Sequence, residues 1–470
     1  MKNLNYLGLG LMILGAMACT KDPIASPIAK ATAQDGANVV EGKINDAALS
    51  IKFGKLVDVD DFTAVKVTLV AAEGASIQSP GETVDFSKPV PVLVNNGVSD
   101  VTYVMTAEAP DPIKSILVGD KAAKIDGTNI ALEYDANTMY ADNIELTVNL
   151  RKGAAVKTPE KLVFDFTAQS THKLVVTYLG KEFVYAVRLA GFEMQENLYE
   201  KAGWVNASED FGSLPKYITV YKNKKLLGTK NEGVIVELDK RATLSVYGKG
   251  NENTFKLRDC YKAHNDAIIM LAGINGINQA TISDSKVIYA SGSAYPVLAQ
   301  LTDGSFVLTP QKHAKEGDQY INNLIRLGAD GKTVVEAKWL PKNAFGGYFM
   351  VATGGKRMER ADMAKTGVTP DAGWFDKTYS RELVGVTKDG KAVLFVCDQV
   401  DGGVDMNKAI DMMTAVGCME VMSLEGSGSP DLLINGKDAV RNSKIHNADW
   451  SIKADADAKC KTYRAVPAFK

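Results

Sequence analysis

The chain has 470 residues, with 54 Lys and Arg against 56 Asp and Glu for a net charge of −2. That balance gives no electrostatic reason to expect nucleic acid or an anionic surface as a partner. The length suffices for about three domains, and beyond the N-terminus no apolar run is long enough to cross a bilayer as a helix.

In chain order, the first element is a basic start, Lys2, followed by an apolar run from Leu7 to Ala18 that ends at Cys19. The run is shorter than the roughly 20 residues a spanning helix needs, and it suits the core of an export signal over residues 1–18. The residues Ala16-Met17-Ala18-Cys19 resemble a lipobox, in which small side chains open the bond to the peptidase and the thiol accepts diacylglycerol. Lipidation of Cys19 would make this an outer membrane lipoprotein, at the periplasmic face or the cell surface, touching the membrane through its anchor alone. An ordinary signal peptide with an incidental Cys19 is the alternative. Residues 19–44 are rich in Ala, Pro and small polar residues and read as a flexible tether.

Two stretches then superpose with an offset of about 80 residues, the mark of an internal repeat. The first carries Gly74 to Pro80, Val84-Asp85-Phe86 and Thr102-Tyr103-Val104-Met105; the second carries Gly153 to Pro159, Phe164-Asp165-Phe166 and Val184-Tyr185-Ala186-Val187. Alternating runs bounded by Gly, Pro, Asn and Asp indicate antiparallel strands. The expectation is two all-β immunoglobulin-like sandwiches, at residues 45–110 and 111–192, resembling the tandem spacer modules of bacterial surface lipoproteins. The Val-Asp-Phe and Tyr-Val landmarks read as core aromatics facing inward, and His172 as exposed.

Residues 193–470 read as one larger, mixed α+β domain with its core at 260–470. Leu383 to Val396 predicts a hairpin turning at Lys388-Asp389-Gly390, Asn407 to Val416 a helix with Ala409, Ile410, Met413 and Val416 on one stripe, and Met419 to Leu424 a strand. The strand runs into Glu425-Gly426-Ser427-Gly428-Ser429, where the glycines let backbone approach a ligand and free N–H groups can face an anion. Cys260, Cys397, Cys418 and Cys460 show no CxxC spacing, so structural zinc is not expected and buried free thiols fit better than a bridge. His264, His313 and His446 lie far apart without HxH or HExxH spacing, and Cys418 has no evident base beside it.

The whole passage from about residue 260 resembles the phosphodiester glycosidase family. Its R-x-x-x-G-x-x-x-D-G-K hairpin is matched by Arg381, Gly385, Asp389, Gly390 and Lys391, and its Asp-Gly-Arg element survives as Asp398 alone. Its L-D-G-G-G-S-S reads Leu424-Glu425-Gly426-Ser427-Gly428-Ser429-Pro430 here, with glutamate for aspartate and serine for one glycine. Ala352-Thr353-Gly354-Gly355, Leu433-Ile434-Asn435-Gly436 and Arg464-Ala465-Val466 match further elements, whereas Asn-Gly-Gly-Phe-Phe keeps only Asn275 and Gly276.

The resemblance implies hydrolysis of the glycosidic bond of a sugar-1-phosphodiester in a phosphoglycan, with no cofactor required and a divalent cation left open. On that reading Glu425 and Asp398 are the catalytic carboxylates. Arg381 and Arg464 hold phosphate through paired hydrogen bonds. Asn275, Gly276, Gly426, Gly428 and Ser429 line the substrate. The rival expectation is a catalytically weakened carbohydrate- or phosphoglycan-binding surface protein, favoured by the altered turn and the lost aromatic pair.

Overall fold

The structure, a computed structural model, describes residues 21–470 except 137, 195, 249–254, 274–279 and 368. Cys19, Asn275 and Gly276 therefore lie outside the described residues. The chain divides into two compact units, one ending at Gln195 and one beginning at Glu196. No helix among the described residues is long and apolar enough to cross a membrane.

The first unit repeats one topology. Its first half has a sheet in the order Lys43–Asn45, Ser50–Lys55, Asp100–Glu108, Val90–Asn95, Ser76–Ile77, and its second half has Lys124–Asp126, Asn129–Glu133, Lys181–Ala190, Thr171–Tyr178, Ala155–Thr158. In both sheets the second and third strands run parallel and every other neighbouring pair antiparallel. Each half also has a smaller sheet, built on Ile28–Asp35 with Val65–Ala71 in one and Ile113–Val118 with Thr147–Leu150 in the other.

Residues 19–44 are thus not a tether throughout. Ile28–Asp35 and Asn38–Glu41 are strands, and Ile28, Ala31 and Ala33 are buried in the first core. The alternation in Ile28–Asp35 places alanines inward, which is enough to pack a sheet face but too weakly apolar to stand out in the sequence.

The repeated landmarks are core. Val84, Phe86, Tyr103 and Met105 are buried in the first half, and Phe164, Phe166, Tyr185 and Val187 in the second. Between the paired landmarks Asp85 and Asp165 turn outward, each accepting a main-chain N–H two residues on, from Ser87 at 2.9 Å and Thr167 at 3.0 Å. His172 is half-buried rather than exposed, its ring edge-on to Phe164 and Phe166 and its Nε2 bonded to the Asp165 carbonyl. Phe166→Ala should therefore destabilise the second half by about 3–5 kcal/mol, read as an earlier urea transition, whereas Val163→Ala on the exposed side should move it little.

Among its described residues the second unit is built from three antiparallel sheets and short helices, so strands outweigh helices well beyond the mixed composition expected. An eight-stranded sheet runs Val205–Asn206, Ile218–Asn223, Gly233–Leu238, Ala392–Cys397, Arg381–Thr387, Cys418–Gly426, Phe349–Thr353, Lys356–Arg357. The expected hairpin is its centre, with Gly390 at φ 77° making the turn.

The helix is Met406–Ala415, begun by Asp405, whose carboxylate accepts the Lys408 N–H at 3.0 Å. It buries Met406, Ala409, Ile410 and Met413 on the sheet. Packing here is close: a Cβ on Gly385 would stand 2.6 Å from the Cys418 sulfur. A five-stranded sheet, Leu244–Gly248, Ala465–Phe469, Ile269–Leu271, Leu432–Ile434, Lys437–Asp438, shares that core.

Candidate active site

The site forms where three central strands of the eight-stranded sheet end. Arg381 lies opposite Cys397 on one side and Gly426 on the other, so the start of the hairpin, its far end and the Gly-rich turn meet at one edge. The chain leaving Cys397 places Asp398 against Glu232. Its N–H donates to the Glu232 carbonyl at 2.9 Å, and its Oδ1 accepts the Glu232 N–H at 3.0 Å.

The other carboxylate oxygen is buried and takes no hydrogen bond. Asp398 helps line a small cleft shared with Ser380, Gln399, Gly428, Arg441 and Asn442. The Arg441 guanidinium lies 3.9 Å from Oδ2. Burial pushes the Asp398 carboxyl up to about 6, against the opposing pull of main-chain donors at Glu232 and Val400 and of Arg441. A carboxyl at that position changes charge near neutrality, as an acid or base catalyst must. Ser380 Oγ is also buried without a hydrogen-bond partner.

The loop bearing Arg441 is fixed from behind. Asn442 Nδ2 donates to the carbonyls of Gly428 at 3.3 Å and Pro430 at 3.1 Å, pinning the Gly-rich turn to the loop. His446 accepts the Asn442 N–H on Nδ1 at 3.2 Å, which leaves Nε2 as the N–H facing Asp438 at 3.1 Å. Asp438 in turn pairs with Arg258, and Arg258 reaches the buried Asp431 at 2.9 Å. Burial raises the Asp431 carboxyl, with Arg258 opposing.

Within the turn, Ser427 adopts φ 61°, and a Cβ on Gly428 would stand 2.3 Å from the end of the flexible Lys444 side chain. Ser429 gives its carbonyl to the Tyr463 hydroxyl at 2.6 Å. Glu425 is buried, and its Oε1 accepts the Tyr348 hydroxyl at 3.0 Å.

The two arginines singled out from the sequence make other contacts. Arg381 is fully buried, donating from Nε to the Val404 carbonyl at 2.9 Å and from Nη2 to the Lys377 carbonyl at 2.5 Å, with Tyr379 beneath the guanidinium. Burial lowers it to about 10, so it remains a cation at neutral pH and clamps two loops together. Arg464 sits over the Tyr289 ring at 5.8 Å.

The structure therefore brings Asp398 and Gly428 into one cleft and sets Glu425 on the adjoining turn. Arg381 is packed into the protein behind that edge. Arg441 and Ser380 were not singled out from the sequence; Arg441 lies in an irregular loop that carries no periodic signal.

The remaining candidates are structural. His264 stacks on Tyr247, and His313 is buried and lowered to about 4 by desolvation, hence neutral. Cys260, Cys397 and Cys418 are buried free thiols, Cys460 is half-buried, and burial raises Cys418 far above the range of a nucleophile. No group of three or more His, Cys, Asp or Glu suited to a metal ion occurs among the described residues.

Residues 270–455 match the family model of phosphodiester glycosidase. Among solved structures, the catalytic domain of zebrafish N-acetylglucosamine-1-phosphodiester alpha-N-acetylglucosaminidase, auto-inhibited by its pro-peptide, matches at 19% identity over 56% of this chain and 80% of that one, with a TM-score of 0.37. An exported protein of Burkholderia pseudomallei matches at 11% identity over 52% and 75%, TM-score 0.37, and a hypothetical protein from Synechocystis at 11% over 94% and 96%, TM-score 0.36. No curated protein matches the chain. Asp398, Glu425, the Gly-rich turn and Arg441 all fall inside residues 270–455, the stretch that matches the phosphodiester glycosidase model.

Proposed function

We propose that this protein is a cell-envelope lipoprotein hydrolase, anchored through Cys19, that cleaves the glycosidic bond of a sugar-1-phosphodiester in a phosphoglycan. The observation that carries this reading is the unbonded, buried Asp398 oxygen in a cleft with Arg441 and the Gly-rich turn, inside the matched domain.

In such a reaction the bond between the anomeric carbon and the phosphate oxygen breaks, and water supplies the new C–O bond. The leaving phosphate is a stable anion and needs little protonation, so cationic stabilisation carries more of the work. Arg441 provides it, taking the role expected of Arg381. Asp398 takes the proton of the attacking water, and Glu425 supports positive charge at the anomeric carbon from the turn. Arg464 and Asn275 remain candidates for contacts to the sugar.

Arg441→Ala should lower kcat/KM by roughly 100-fold, the usual effect of removing one aimed donor. The test is incubation of the mature chain with a panel of glycosyl-1-phosphodiesters, scoring free reducing sugar and the matching phosphomonoester. Release of sugar phosphate instead would mean P–O cleavage and contradict the proposal. Binding without turnover would favour the alternative, a carbohydrate-binding surface protein, for which the specific observation is the Glu425 and Ser427 substitutions in the turn.

A further inference from the structure

The strand carrying Arg381 contains a second charged residue in an otherwise apolar run, Glu382, whose side chain is fully buried. Its pairing with Cys418–Gly426 is irregular: Arg381 faces Gly426 and Leu383 faces Ser423, so between these pairs one residue, Glu382, opposes two, Leu424 and Glu425. Neither carboxyl oxygen of Glu382 has a hydrogen-bond partner of ordinary geometry, although the Asp431 main-chain N–H acts on the group. An isolated, ionised carboxylate in that position would be very costly, and having Glu425 among the residues opposite it across the bulge compounds the cost.

We propose that Glu382 and Glu425 form a carboxyl pair that holds a single negative charge, Glu382 keeping the proton, so that Glu382 is a positioning residue fixing the charge state of Glu425. This rests on the catalytic reading of Glu425 above. Among the described residues, the titratable groups whose fields reach the pair include Tyr348, Asp431, Tyr463 and Lys444. Lys444 is a cation and acts on Glu425. Desolvation first, and the Glu425 charge second, raise Glu382 well above the usual carboxyl range, with the Asp431 main-chain N–H opposing.

A group raised in the folded state stabilises fully below its unfolded range, and that contribution is lost as pH rises through the folded value. Folding of the parent near neutrality therefore takes up one proton that folding of Glu382→Gln does not.

The experiment compares the parent, Glu382→Gln and Glu425→Gln in full-chain urea unfolding across pH, and in the pH dependence of turnover of a glycosyl-1-phosphodiester. Glu382→Gln should gain in unfolding midpoint over the parent as pH rises above the normal carboxyl range. Glu425→Gln should move the parent's fall in stability to lower pH. In turnover, the parent should lose rate on the alkaline side where the pair ionises a second time, and Glu382→Gln should lack that limb.

Parallel stability curves for the parent and Glu382→Gln would overturn the shared charge. An alkaline limb unchanged in Glu382→Gln would overturn the positioning role. If the parent turns over none of these substrates, the functional reading fails while the unfolding arm still decides the pair.

Discussion

Asp398→Asn is expected to stabilise the protein at neutral pH while removing its turnover. The carboxyl stands at about 6 in the folded chain because it is buried. With an unfolded value near 3.9, its contribution to stability is complete below that value and is lost as pH rises through about 6. Some two pKa units correspond to roughly 3 kcal/mol, an order-of-magnitude penalty carried by the parent at pH 8 and absent from the amide. The asparagine keeps an oxygen for the Glu232 N–H, so local geometry should survive.

Urea unfolding at acid and mildly alkaline pH measures the effect: the variant's advantage should appear only at the higher pH. Turnover should fall by about 100- to 10,000-fold, the usual worth of a positioned acid or base. A residue that weakens the fold and serves the reaction is where stability and activity are expected to oppose each other.

Arg381→Ala should act in the opposite sense, costing about 3–5 kcal/mol of stability, because it strips donors from buried main-chain carbonyls at an edge where three strands meet. Arg381→Lys should recover only part, since a single ammonium cannot reproduce the planar fork that reaches Val404 and Lys377 together. Denaturant unfolding distinguishes this clamp from a ligand: an Arg381→Ala variant of parental stability but raised KM would make the guanidinium a phosphate holder after all.

Much of the second unit was legible because hairpin, helix and strand each carry a strong local signal. Period-two apolar runs bracket Lys388-Asp389-Gly390, and the Ala409, Ile410, Met413 stripe has helical spacing, so both elements are found within a residue or two of expectation. The repeat in the first unit was legible through Phe86 and Phe166, and Tyr103 and Tyr185, which occupy equivalent buried places.

The direction a side chain takes was harder to read. A motif fixes the position of Arg381 in the chain, but the parity of its strand and the packing around Val404 decide where the guanidinium goes. Glu382 was passed over because the hairpin was read as beginning one residue later, at Leu383, and the bulge opposite it depends on long-range pairing. Arg441 and Asn442 gain their significance from contacts to Asp398, Gly428 and Pro430, residues distant from or unpatterned with their own loop. Ile28–Asp35 was read as tether because its inward residues include alanines whose burial depends on a partner strand more than 30 residues away.

The most direct test of the Asp398 cleft as the working site is kcat/KM for a glycosyl-1-phosphodiester against pH, in the parent and in Asp398→Asn. The parent should rise through a limb at about 6, where the carboxyl becomes a base, and the variant should be slower by at least ~100-fold at every pH. A parent rate flat through that region, or a variant that turns over at the parent's rate, would contradict it.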